Sequence, residues 1–428
     1  MIRVYSAIQS PRLDYILSFL SDYFGQPFVR SEAGDADLVY GAEGAGRMRI
    51  GSAGLLEERG IATGKPPARR TADGQCILFP DDSAFGFDLF SAIFYLLARC
   101  EEYASPEKDA YGRFPHTASL AWQGGFLNRP LIHEWLHRFS EQLFGAGYTP
   151  PFQFAPTFDI DMAWSYRHKG FARNAGGLLR SLLRRDGTVS ERLDVLLRGH
   201  HDPFDCYDFL DTLHGHFSLR PHYFIHAGRG RNAYDKNIPL KKSAMQGLLR
   251  RIARSSTVGL HPSWASGDEP ALLGQEKSTL EAAIGIPVTS SRQHFIRFTL
   301  PHTFRQLIAA GITDDYSMGY GSINGFRASL AVPFYWYDLE RDEQTPLRLH
   351  PFCFMDANAL FEQKQSITQT EAELNSCLEI FRQWGGTFIS IWHNSYLGSA
   401  PEYAGWPELY ARFVATGEKE RMVRRRSP

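Results

Sequence analysis

Beyond the proline pair Pro150-Pro151, short apolar segments alternate with amphipathic ones, and this alternation restricts the fold more than any other feature of the chain. The pattern predicts strands over 152–158, 221–225, 257–260, 286–289, 312–316, 347–354 and 387–392. Helices are expected between most of them, over 240–253 and 371–384 for example. A strand buried on both faces reads as a continuous apolar run, and a helix covering it shows a period near 3.6. Repeated strand-then-helix units therefore imply an α/β protein with a parallel sheet, open or closed into a barrel.

The first third is organised differently. Strands are expected over 2–5, 38–40 and 48–50. Leu13, Ile16, Leu17, Leu20 and Phe24 share one helical face, and further helices are expected over 87–103 and 130–144. Residues 58–75, rich in Gly, Pro, Ala and Arg, read as a loop. The change of pattern places a boundary near residue 148. Residues 1–148 are read as a smaller α/β accessory domain and 149–428 as the strand–helix repeat. The arginine-rich tail from Lys419 is expected to fray.

Charge and cysteine usage narrow the function classes. Lys plus Arg number 46 against 47 for Asp plus Glu, so nothing global draws the chain to nucleic acid. No apolar run reaches the roughly 20 residues that a membrane helix needs. Asp14 interrupts any early apolar core, so no secretory signal is expected. The five cysteines are widely spaced without a Cys-x-x-Cys pair, which disfavours a zinc knuckle. Reduced thiols and a cytoplasmic location are the expectation.

Chemistry-bearing residues gather where strands should end, which is where parallel α/β folds place their sites. Asp159 and Asp161 are two apart on an extended segment and so share a face. His261, His294 and His393 each follow or close a predicted strand or its loop. Carboxylate and neutral imidazole together suit zinc and other borderline divalent ions. Each group alone has a structural reading: solvated acids at a turn, or hydrogen-bonded core histidines. Likewise His350 and Asp356, at the end of another predicted strand, are expected to reach the substrate or to pair with each other.

Three further motifs draw attention. His133-Glu134-Trp135-Leu136-His137 matches the zinc-protease pattern His-Glu-x-x-His on a predicted helix. The extended protease pattern is missing, and Leu131, Ile132, Leu136 and Phe139 interleave, so a structural role is expected. Gly41 to Gly46 reads as a glycine-rich turn and not as a dinucleotide loop, because no long apolar helix follows. Residues 167–198 carry eight basic and three acidic residues with interleaved leucines, an amphipathic surface segment. The basic helix over 172–185 is a candidate for peripheral contact with a lipid or glycan surface.

As an ordered set, the strand-end motifs resemble the polysaccharide deacetylase domain (NodB homology, carbohydrate esterase family 4). The matching stretches are Thr157-Phe158-Asp159-Ile160-Asp161, Leu260-His261-Pro262-Ser263, Arg292-Gln293-His294-Phe295, Asp314-Asp315-Tyr316 and Ile389-Ser390-Ile391-Trp392-His393-Asn394. Phe87 to Ser91, Cys100 to Tyr103 and Gly112 to Pro115 resemble a domain of unknown function that precedes this deacetylase variant in some bacterial proteins. The resemblance implies a distorted β/α barrel of NodB type and metal-dependent removal of an N-acetyl group from a carbohydrate. Asp159 would be the base acting on water, Asp161 and His261 metal ligands, and His393 the acid for the leaving amine. Arg292 would orient Asp159, with help from Asp315.

One position departs from that pattern. The family usually has a second histidine four residues after the first, and Ala265 stands there. His294 is the candidate replacement ligand. The expectation is a zinc-dependent deacetylase acting on an intracellular saccharide used in surface-glycan synthesis. A non-sugar C–N amidohydrolase and an inactive glycan-binding protein are the alternatives.

Overall fold

The computed structural model describes residues 1–426 apart from 42–45, 62–63, 73, 106, 185–187 and 229–233. Most of the glycine-rich turn expected from Gly41 thus lies outside the described residues. The chain divides into two compact units. The first comprises Met1–Gln153, Ile296–Phe354 and Cys377–Ile389; the second comprises Phe154–Phe295, Met355–Ser376 and Ser390–Pro428.

The first unit opens with a parallel sheet of β1 (Ile2–Tyr5), β2 (Phe28–Arg30), β3 (Leu38–Tyr40) and β4 (Met48–Ile50), in the order β2-β1-β3-β4. A helix over Pro11–Phe24 packs its apolar stripe inward. Its ends are written in the sequence. Ser10 Oγ accepts from Leu13 N–H, Pro11 occupies the first turn, and Gly25 closes the helix at φ 64°. A small antiparallel pair, β5 (Ala68–Arg70) and β6 (Cys76–Leu78), falls partly inside the segment read as loop.

The apolar pattern over 87–103 predicts one helix, but the structure has two, Leu89–Leu97 and Cys100–Ala104. Arg99 separates them at φ 55°. Its guanidinium is fully buried and reaches Glu101 at 2.6 Å and Glu102 at 2.7 Å. Glu102 also holds Arg327. A buried cation needs such partners, and the left-handed turn supplies them at the expense of helical continuity.

The second unit carries the parallel strands: β7 (Gln153–Ile160), β8 (His222–His226), β9 (Thr257–His261) and β10 (Ser290–Ser291). The returning segment of the first unit holds β11 (Asp314–Asp315), β12 (Phe334–Asp338) and β13 (Glu343–Leu349). There β11 pairs parallel and β12 antiparallel with β13. After β14 (Phe354–Met355) the last strand is β15 (Thr387–His393), whose final four residues belong to the second unit. Within that unit the order is β10-β9-β8-β7-β15. The α/β class with parallel strands is the one that the alternation predicts.

Two strand expectations are corrected. Residues 286–289 are not a strand, because Val288 N–H donates to Glu281 Oε1 at 2.9 Å and β10 begins only at Ser290. The run over 347–354 is broken between β13 and β14 around Pro351, which has no N–H to give a ladder. The tail, read as frayed, is helical to Arg426.

Candidate active site and metal centre

Register aligns the strand ends of the second unit. Asp159 pairs with Phe224 and Ile160 with Ile225; His226 faces His261; Leu260 faces Ser291. The residues that end these parallel strands therefore come out along one edge. Asp161 follows β7, His226 ends β8, His261 ends β9, and Arg292 and His294 follow β10. His393 ends β15, which lies beside β7 with Thr157 Oγ1 donating to Ser390 O at 2.8 Å.

Asp159 is buried and its Oδ1 accepts from Arg292 Nη1 at 2.8 Å. The guanidinium lies over the Phe224 ring, 4.3 Å from its centre, which fixes its plane. Arg292 also presents its carbonyl to His261 Nδ1 at 2.6 Å. A carbonyl only accepts, so Nδ1 carries a proton and Nε2 is turned the other way. That nitrogen faces Asp161 Oδ1 at 3.2 Å and Asp159 Oδ2 at 3.8 Å.

His294 brings Nε2 to 3.5 Å from the same Asp161 oxygen. Asp161 Oδ1 is buried without a hydrogen bond, although the side chain as a whole is 34 % exposed. Asp161, His261 and His294 thus converge three ligand atoms within 4.8 Å of one another. Burial opposes charge on His294, but Asp161 and Asp235 outweigh it and raise the ring to about 9. Burial likewise opposes charge on Asp161; His294, His261 and His393 prevail and hold it well below the usual carboxylate range.

His393 completes the group. Asp356 holds it twice, through Nδ1 to Oδ1 and through the backbone N–H to Oδ2, each at 2.6 Å. Its Nε2 stands 3.8 Å from Asp161 Oδ2. Burial would discharge the ring; Asp356, followed by Asp161 and Asp159, raises it to about 10. A protonated imidazole facing the carboxylates is equipped to give a proton away.

Of the residues expected from the sequence, Asp159, Asp161, His261, Arg292, His294 and His393 come together in the second unit. Asp315 does not belong to that unit; it is fully buried in the first, where its Oδ1 accepts from Ser317 N–H at 2.9 Å. His350 and Asp356 do not pair with each other. His350 Nε2 meets Asp314 Oδ1 at 2.7 Å, and Asp356 is given to His393.

Two neighbours escape the strand-end reading of the sequence. His226 Nε2 lies 2.9 Å from Asp235 Oδ1, and that oxygen is 3.4 Å from His294 Nδ1. His226, Asp235 and His294 form a second buried group of ligand atoms. His226 obeys the same strand-end rule as the others and is missed because the predicted strand stops at Ile225. Asp235 sits in a loop with no periodic signal.

The His-Glu-x-x-His motif is structural. His133 Nδ1 meets the Trp384 carbonyl and Nε2 accepts from Ala331 N–H, both at 3.0 Å, so neither nitrogen has a lone pair to offer. Glu134 pairs through both oxygens with Arg129.

Residues 2–146 match the model of a family of unknown function, DUF7033. No curated protein matches the chain. Among solved structures, the chain is similar to a protein from Mycobacterium smegmatis described as a polysaccharide deacetylase, with 16 % identity and a TM-score of 0.40. That alignment covers 64 % of this chain and 86 % of the other. The Puue allantoinase gives 11 % identity and a TM-score of 0.41, covering 63 % and 85 %. A family 4 acetyl xylan esterase from Clostridium thermocellum, in complex with a cobalt ion, gives 11 % and 0.29, covering 63 % and 84 %.

Proposed function

We propose that the chain is a metal-dependent hydrolase that removes an N-acetyl group from a saccharide. The observation that carries this reading is the convergence of three kinds of group on one strand edge. They are a carboxylate held by an arginine (Asp159–Arg292), a set of cation ligands (Asp161, His261, His294) and an imidazole held by a carboxylate (His393–Asp356).

The ligand set fits a divalent ion. His261 Nε2 and His294 Nε2 stand 3.2 and 3.5 Å from the same oxygen, Asp161 Oδ1, so the three atoms can close on one cation. Asp161, His261 and His294 would hold the ion, and one carboxylate with two imidazoles favours zinc. When bound, such an ion polarises a carbonyl oxygen and lowers the pKa of water.

The protein's own groups do the rest. Arg292 fixes Asp159 through Oδ1 and leaves Oδ2 to take the proton of the attacking water. Water oxygen bonds to the acyl carbon, the C–N bond breaks, and His393 gives its proton to the departing nitrogen. Acetate and a free amine result. Asp356 keeps the His393 ring oriented and charged until that step. Beside His294, the half-buried rings of Trp264, Tyr234 and Phe295 pack together; Tyr234 and Trp264 stack at 4.1 Å. Such aromatic faces suit a sugar ring.

We keep the division at residue 148 in this proposal, with an accessory domain before it and a NodB-type distorted barrel after it. No helix among the described residues is long and apolar enough to cross a membrane. The five cysteines are free and buried, which supports a reducing, cytoplasmic setting. We also propose peripheral membrane contact through the helices Phe171–Arg184 and Thr188–Leu197. Among the described residues, seven of the thirteen exposed large apolar side chains lie between Phe171 and Leu197, interspersed with arginines.

Acetate release from N-acetylated saccharides tests the central reading. Activity lost in Asp159→Asn and His393→Ala is expected. Glycan binding without turnover by metal-loaded protein would overturn it.

A further inference from the structure

Next to the strand edge, within the second unit, lies a cavity of about 370 Å³ whose charged lining, among the described residues, is cationic. Lys169, Arg173, Lys241 and Lys242 line it, and among the described residues no carboxylate does. Among the described residues Lys169, Lys241 and Lys242 form no salt bridge. Lys242 Nζ donates to the His168 carbonyl at 2.6 Å, and Lys169 Nζ meets only the Met162 sulfur, at 3.8 Å. Arg173 is braced against the carbonyls of Lys236 and Asn237. Burial, and then the charge of Arg173, push Lys169 down to about 8. Gathering like charges in a half-enclosed space raises the energy of the empty cavity and lowers it when an anion enters.

The cavity adjoins the site. Asn237, in its wall, donates to the carbonyls of His226 at 3.0 Å and Ile160 at 3.5 Å, the latter being the residue before Asp161. A ligand anchored in the cavity therefore lies against the ends of the strands that carry His226 and precede Asp161.

We infer that this cavity binds the phosphoryl or diphosphoryl group of an activated saccharide. The multiplicity of charge selects the ligand: four cations match a diphosphate of two or three negative charges, whereas a uronic acid brings one. Lysine is an effective point-charge partner for phosphate oxygens. The volume lies in the range of small-ligand sites, and Ala227 and Leu240 give the cavity an apolar part. That the sugar end is deacetylated rests on the function proposed above; binding of the anion does not.

Isothermal titration calorimetry on the full chain with inorganic pyrophosphate tests the inference without turnover. Pyrophosphate is expected to bind, and at least tenfold more weakly to Lys169→Ala/Lys241→Ala. The control Lys364→Ala should bind like the parent chain. No binding, or equal binding by both variants, overturns it. The same titration with UDP-N-acetylglucosamine, a short-chain polyprenyl-diphosphate N-acetylglucosamine and a neutral N-acetylglucosamine oligomer separates the sources. One of the two diphosphates is expected to bind at least tenfold more tightly than the oligomer, with that margin lost in the double variant. An oligomer that binds as well as both diphosphates overturns the inference. Acetate release is scored separately: tight, lysine-dependent diphosphate binding with no acetate from any substrate would remove the deacetylase reading and leave the anion site standing.

Discussion

Asp356 grips His393 at two points, its side chain through Nδ1 and its backbone through N–H, both at 2.6 Å. The pairing sets both the tautomer and the charge of the ring. Replacement by Asn keeps the shape and removes the negative charge. Asp356→Asn is expected to lower kcat for acetate release roughly 10²-fold with little change in KM. The alkaline limb of the pH–rate profile should move to lower pH, because Asp356 is the strongest influence keeping the ring protonated. An unchanged profile would remove His393 as the acid.

Metal content decides whether His294 stands in for the histidine absent at 265. Protein purified without chelator is expected to carry about one zinc-like ion per chain, the single-ion stoichiometry of a three-ligand site. Asp161→Ala and His294→Ala should each abolish it. Retention of the ion by His294→Ala, measured by inductively coupled plasma mass spectrometry, would leave His294 outside the ligand set.

Glu134→Gln should leave hydrolysis untouched and cost stability. Glu134 is buried against Arg129, and the amide forfeits one of the two charge-assisted bonds. A loss of about 1–2 kcal/mol is expected in denaturant unfolding. Lost hydrolysis with unchanged stability would return the His-Glu-x-x-His motif to the chemistry.

Two buried groups give acid sensitivity in different windows. Burial pushes His133 from its ordinary 6.5 down to about 4. Its folded pKa lies below the unfolded one, so its contribution is complete above pH 6.5 and disappears as pH falls through about 4. Burial would raise Glu102, but Arg327 and Arg99 prevail and hold it at about 2, so its contribution is complete above pH 4.5 and is lost toward pH 2. Urea unfolding of His133→Asn should therefore show a smaller loss between pH 7 and pH 4.5 than the parent chain. Glu102→Gln should be destabilised by about 3–5 kcal/mol already at neutral pH, since it takes the carboxylate from buried Arg327 and leaves Arg99 with Glu101 alone.

The exposed leucines of the helical pair give the peripheral-contact proposal its test. Co-sedimentation with anionic phosphatidylglycerol vesicles is expected, and should fall sharply in Leu182→Asp/Leu183→Asp and at high salt. Binding that is insensitive to both changes would exclude this surface.

Most of the candidate site is legible in the sequence because period-two alternation and strand ends are local signals. Asp159, Asp161, His261 and His393 follow from them directly. Asp356 is visible as a residue but not as a partner. Its mate is 37 positions away, and His350, nearer in sequence, is taken by Asp314. Asp235 has no local signature at all; only the fold brings it to His226 and His294. In the first unit, the break at Arg99 is hidden for the same reason, since an apolar run over 87–103 carries no record of where a buried guanidinium will find carboxylates.

The far sides of the site residues are already tied: His261 to a carbonyl, Asp159 to Arg292, His393 to Asp356. The inward atoms of Asp161, His261 and His294 are left within 4.8 Å of one another. Folding itself thus immobilises these rings and carboxylates, so an arriving cation meets side chains with little rotational freedom left to lose. On the function proposed above, affinity at such a centre comes from a frame that is already ordered, and size and charge become the traits by which one ion is told from another.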